Sequence, residues 1–259
     1  MVVEIGDVPV GLNTTDTSLI KLLEKRFGRF LSPDRIPAFT FDINVVSDGT
    51  FDPDADLQVR GANGRWTLRR GDFLAEWDAR QRHGWIRQTL NPYAIDSVLR
   101  IVHSLVLATE GGFLLHASSA VRDGQAFLFT GPSGSGKTTI ARLAPADVTL
   151  LTDEISYVRR TAEGYRAFGT PFAGELGESG ENRSAPIAAL LRLDWGRDNV
   201  YDRLTPAAAV QALMRNILFF ADDRSLTRHL LDTACDFAAR VPAFRLAFAP
   251  DARVWNTIA

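Results

Sequence analysis

The sequence predicts a mixed α/β chain, α+β in the grouping of its elements. A β-rich N-terminal lobe over residues 1–90 precedes a core over residues 91–259, in which hairpins and helices surround a mixed sheet. Two observations carry this. Residues 131–138 read G-P-S-G-S-G-K-T between an apolar run and a helix-like segment, which fits the strand-loop-helix pattern G-x-x-x-x-G-K-[ST]. On either side of that loop, short apolar runs are joined by R-D-G at 122–124 and A-E-G at 162–164, turns too tight for helical crossovers, so the neighbouring strands form hairpins.

In the lobe, residues 2–12 alternate apolar and polar about Gly6-Asp7, as a hairpin does. Asp16 is placed to cap a helix whose apolar stripe is Leu19, Leu22, Leu23, Phe27 and Phe30. Residues 39–46 alternate strictly and predict a strand. The turn-rich 47–56 separates it from short strands at 57–60 and 65–68. Arginines at 65, 69, 70, 80, 82 and 87, with His83 and Trp66, Trp77 and Trp85 among them, have the composition of a stacking nucleic-acid surface. Asp72, Glu76 and Asp78 dilute that charge, so the expected structure is a half-buried sheet with a solvated face.

The core opens with a helix from Asn91-Pro92 to Thr109, ended by Gly111-Gly112. A hairpin then carries His116 outward and returns through residues 125–130 into the glycine loop. A strand at 148–152 ends in Asp153-Glu154, and a second hairpin spans 155–168. Residues 169–186 form a long loop rich in glycine and acids, of a length usually found in functional or mobile segments. A buried strand at 187–193, helices at 205–220 and 222–240, a strand at 244–248 and a short helix from Pro250 complete the chain.

Composition narrows the class. A net charge of -2 gives no overall footprint for nucleic acid or an anionic membrane. The single cysteine, Cys235, precludes an internal disulfide, and its helical setting predicts a small buried hydrophobe. The first residues lack a signal-peptide pattern and no apolar run reaches membrane-spanning length, so the expectation is a cytoplasmic protein.

The loop points to a nucleoside phosphate, with ATP and Mg²⁺ as the expected ligands; its sequence does not distinguish adenine from guanine. The backbone of Gly131, Pro132, Ser133, Gly134, Ser135 and Gly136 wraps the phosphates, the N–H groups of all but Pro132 donating to them. Lys137 reaches the terminal phosphates, Thr138 holds Mg²⁺, and Thr139 lies in the first turn of the helix that starts near Lys137. Asp153-Glu154, at the tip of an apolar strand about sixteen residues after the lysine, suits a Walker-B role beside the metal.

The segments L-L-H-A-S-S-A-V, A-F-L-F-T-G-P-S-G-S-G-K-T-T and L-L-T-D-E together resemble the HPr kinase/phosphorylase family. These are bacterial serine kinases that share a P-loop core with ATP-dependent phosphoenolpyruvate carboxykinase. The resemblance extends more loosely through G-T-P-F-A-G-E to V-P-A-F-R-L-A-F and covers roughly residues 95–258. It implies a phosphotransferase in which Asp153 is the catalytic acid/base, His116 stands near it, and Glu154 binds metal where the family usually has a second aspartate. Glu175 falls on the metal or substrate side, and Arg183 is placed to offset charge on the transferring phosphoryl group. The N-terminal lobe does not resemble that of the regulatory HPr kinases, which argues against HPr itself. The implied acceptor is a serine or threonine of a protein or peptide, such as a biosynthetic peptide. A small-molecule alcohol kinase and a non-catalytic nucleotide-binding module are the alternatives, and assembly into a homo-oligomer stays open.

Overall fold

The structure is a computed structural model that describes residues 1–47, 55–177 and 180–258. Most of the turn expected at 47–56, and Glu178 and Ser179 of the expected long loop, lie outside the described residues. Contacts divide the chain into two compact units: Met1–Leu105 with Phe219–Asp223, and Val106–Leu218 with Arg224–Ala259. The division lies beyond the expected boundary at residue 90 because the first half of the helix at 92–110 is tied to the N-terminal lobe. Arg26 pairs with Asp96, and Phe39 lies against His103.

The first unit holds β1 (Val2–Ile5), β2 (Val8–Asn13), α1 (Thr17–Phe27), β3 (Phe39–Val45), β4 (Gln58–Ala62), β5 (Arg65–Arg70), β6 (Phe73–Asp78), β7 (His83–Gln88) and the start of α2 (Pro92–Glu110). Its strands form one mixed sheet in the order β1-β2-β3-β7-β6-β5-β4. Gly6 and Asp7 both take positive φ, 64° and 61°, the geometry a two-residue hairpin needs. Asp16 caps α1 by accepting the Leu19 N–H at 2.8 Å, and Leu19, Leu23 and Phe27 bury its apolar stripe. The arginine-tryptophan stretch is sheet. Arg65 pairs with Asp78, Arg70 pairs with Asp72, and Trp66 and Trp77 are buried.

The second unit begins with β8 (Gly112–Arg122), β9 (Gln125–Thr130), α3 (Lys137–Arg142), β10 (Thr149–Thr152), β11 (Ile155–Thr161), β12 (Gly164–Phe168) and β13 (Ser184–Trp195). It continues through β14 (Val200–Arg203), α4 (Pro206–Asn216), β15 (Ile217–Leu218), α5 (Arg224–Arg240), β16 (Ala243–Phe248) and α6 (Val254–Thr257). The long strand β8 changes partners midway. Residues 112–116 pair with β11 and 114–115 with β15, whereas 117–122 pair with β9 and 119–121 with β10. The sheet therefore forks immediately after His116, and the strands that diverge there leave room for the loop that follows β9.

Three expectations are corrected. The helix from residue 206 stops at Asn216, because Ile217 and Leu218 pair with the edge that β8 would otherwise leave open. Strand β14, absent from the sequence reading, pairs antiparallel with β16. Cys235 is exposed, since the buried stripe of α5 is Leu230, Thr233, Ala234 and Phe237 and the cysteine lies off it. Among the described residues no helix is long and apolar enough to cross a membrane.

Candidate active site

Strand β9 delivers the chain into the loop between two neighbours, β8 antiparallel on one side and β13 parallel on the other. Gly136 takes φ 100° at the start of α3, and a Cβ there would lie 2.6 Å from the Phe248 ring. Only glycine meets both demands. Lys137 is buried, and its Nζ folds back to donate to the carbonyls of Gly131 at 3.0 Å and Pro132 at 3.2 Å. Burial lowers its pKa, opposed by the nearby charges of Glu154 and Glu175. The Ser135 hydroxyl is buried in the loop without a hydrogen-bond partner.

Backbone and side-chain bonds fix the acidic strand end against β8. Thr130 donates to the His116 carbonyl at 3.2 Å, the Ala117 N–H donates to the Glu154 carbonyl at 2.9 Å, and Ser118 donates to the Lys137 carbonyl at 3.2 Å. Thr152 Oγ1 accepts the N–H groups of Glu154 and Ile155, each at 3.3 Å, and so turns the chain between β10 and β11. Asp153 is buried, with Oδ1 accepting from Gly174 N–H and Oδ2 from Leu176 N–H, both at 2.9 Å. Burial, followed by the charge of Lys137, pushes the His116 imidazole below its ordinary pKa.

One cavity of about 650 Å³ gathers most of the expected residues: His116, Ser133, Gly134, Gly136, Lys137, Thr138, Thr139, Asp153, Glu154 and Glu175. Gly131 and Pro132 line a separate cavity of about 250 Å³. Arg183 lines neither; it is exposed, and its guanidinium stands 4.0 Å from Glu181. Sequence reasoning missed Trp195, which borders the larger cavity and donates its indole N–H to the Gly134 carbonyl at 2.7 Å. It also missed the role of Gly174, where a Cβ would lie 2.8 Å from Asp153 Oδ2. The F-A-G-E stretch held that signal; Trp195 becomes visible only once β13 is paired with β9.

The donors around the cavity suit a magnesium nucleotide. Thr138 and three carboxylates offer only hard oxygen ligands, and the orphaned Ser135 hydroxyl lies within the same loop. Among the described residues no three His, Cys, Asp or Glu side chains are arranged to hold a metal alone. Magnesium needs only one or two carboxylates when phosphates supply the rest of its shell.

Residues 87–259 match a protein family described as SynChlorMet cassette protein ScmC. No curated protein matches the chain. Among solved structures, the HPr(Ser) kinase/phosphatase from Coxiella burnetii is weakly similar, at 14% identity and a TM-score of 0.28, over 49% of this chain and 90% of that one. A likeness of that depth assigns no residue.

Proposed function

We propose that this chain, which belongs to the SynChlorMet cassette protein ScmC family, is an ATP- and Mg²⁺-dependent phosphotransferase acting on a serine or threonine hydroxyl of a protein or peptide. The supporting observation is that Lys137 and Thr138 share one cavity with His116, Asp153, Glu154 and Glu175. The glycine loop binds the triphosphate, and Lys137 exchanges its two carbonyl bonds for phosphate oxygens. Asp153 takes the proton of the acceptor hydroxyl as its oxygen bonds to the γ-phosphorus and the bond to ADP breaks. Each Asp153 oxygen accepts one backbone N–H and keeps a further lone pair for that proton. Burial favours neutral His116, which can exchange hydrogen bonds with the incoming groups. Thr138 and Glu154, with Asp153 or Glu175, are the residues to hold Mg²⁺, which neutralises charge on the phosphate oxygens when bound.

Purified protein incubated with labelled ATP, Mg²⁺ and candidate peptides or proteins tests this, alongside Lys137→Ala and Asp153→Asn. Label on a serine or threonine that both variants lose is the expected result. Transfer undiminished in Asp153→Asn removes Asp153 from the mechanism. A second reading, a small-molecule alcohol kinase, is favoured by the cavity volume, which lies within the range of small-ligand pockets. Label appearing on a small alcohol and on no peptide selects it, and tight ATP binding without turnover selects a regulatory module.

A further inference from the structure

The two strands flanking β9 bring different chemistry to the loop. On the β8 side stand His116 and the Asp153-Glu154 turn; on the β13 side stands Trp195, the last residue of its strand. One cavity is lined from both sides, by His116, Asp153 and Glu154 and by Trp195. Trp195 is 51% exposed, yet it is held in place. Its N–H bonds the Gly134 carbonyl at 2.7 Å, and its ring stacks on that of buried Phe248, with centroids 5.0 Å apart and planes 26° apart. The absent side chain of Gly136 lets both rings approach the loop, since a Cβ there would be 2.6 Å from Phe248 and 3.2 Å from Trp195.

We infer that Trp195 is the stacking platform for the nucleobase of the phosphate donor, resting on the phosphotransferase reading above. The donor is then a nucleoside triphosphate, with its base on the indole and its phosphates crossing the loop towards Lys137. A flat ring backed by a second ring and pinned at its one polar atom presents an ordered π-face, which stacks on any base. Because Gly134 takes the indole N–H, Trp195 offers no hydrogen bond to a base edge. Its contribution is therefore the same for adenine and guanine.

Calorimetric binding of Mg-ATP, Mg-GTP and Mg-tripolyphosphate to the full chain, Trp195→Ala and Trp195→Phe tests the assignment. Trp195→Ala is expected to weaken both nucleotides by roughly tenfold or more and tripolyphosphate by less than about twofold, whereas Trp195→Phe keeps most of the nucleotide affinity. Equal weakening of tripolyphosphate would make Trp195 a brace for the loop and overturn the platform, as would unchanged nucleotide affinity. If the wild-type chain binds none of the three, the phosphotransferase reading falls and the platform with it. If it binds all three and Trp195→Ala alters none, only the platform falls. Should Trp195→Ala fail to fold, tryptophan emission decides. ATP, and not tripolyphosphate, is expected to quench the emission that Trp195→Phe lacks, and the absence of that quenching overturns the assignment.

Discussion

The carboxylate of Asp153 accepts the Gly174 N–H at 2.9 Å, and the same carboxylate leaves no room for a side chain on Gly174. A Cβ at residue 174 would lie 2.8 Å from Asp153 Oδ2 and 2.8 Å from Glu154 Cβ. The turn of the acidic strand end and the loop after residue 169 are thus fitted to each other at a glycine.

Gly174→Ala is expected to push the loop off Asp153 and to cost about 1–3 kcal/mol, the range for overpacking a filled site. Urea unfolding measures the loss, and phosphate transfer is expected to fall with it. Unchanged stability together with unchanged transfer would show that the close approach is dispensable.

Asp153→Asn is not a silent isostere here. The amide nitrogen of asparagine would face one of two N–H donors, Gly174 or Leu176, and leave that donor unpaired. A loss of about 1–3 kcal/mol is expected from the orphaned group. The urea midpoint should therefore fall at constant m-value, before any substrate is added. A midpoint equal to wild type would mean that the loop does not need this acceptor.

The turn from β9 into α3 was legible because its glycines mark a tight backbone course, Gly134 and Gly136 both taking positive φ, and the hairpins because their turns demand particular residues, such as Gly6-Asp7 and Arg122-Asp123-Gly124. What escaped the sequence depends on which edge meets which. Residues 217–218 continue a helical pattern but pair with β8, and β14 exists because β16 has an edge to fill. Trp195 lies far from the loop in sequence and reaches it through the parallel pairing of β13 with β9. Cys235 is exposed because the buried stripe of α5 passes it by, and Arg183 lies outside the cavity, which assignment to a loop leaves undetermined.

In the first unit, Asp96 is buried and paired with Arg26, whose Nε donates to it at 3.0 Å. Burial raises the carboxyl above its ordinary pKa of 3.8, outweighing the opposing pull of Arg26 and then Arg100. The sign follows: the contribution of this group to stability is full below the ordinary value and is lost as pH rises through the folded one. Arg26→Ala removes the closest cation, so it is expected to cost about 3–5 kcal/mol at neutral pH and less near pH 4. Adding Asp96→Asn should recover part of that loss. Thermal or urea unfolding of Arg26→Ala, Asp96→Asn and the double variant at both pH values is the measurement; additive losses would exclude a coupled pair.

His116 titrates in the opposite sense. Its folded pKa lies below the ordinary 6.5, through burial first and the Lys137 charge second. Stability is therefore full above the ordinary value and falls as pH drops from 6.5 towards the folded pKa, because the unfolded chain takes up the proton first. A bound polyphosphate adds negative charge beside the ring and favours the imidazolium, so nucleotide binding should be accompanied by proton uptake at mildly acidic pH. Calorimetry in two buffers of different ionisation enthalpy counts those protons. The nucleotide's own γ-phosphate also titrates there, so the informative quantity is the difference between wild type and His116→Gln. A smaller uptake in the variant is expected; equal uptake would place the proton on another group and remove His116 from contact with the phosphates.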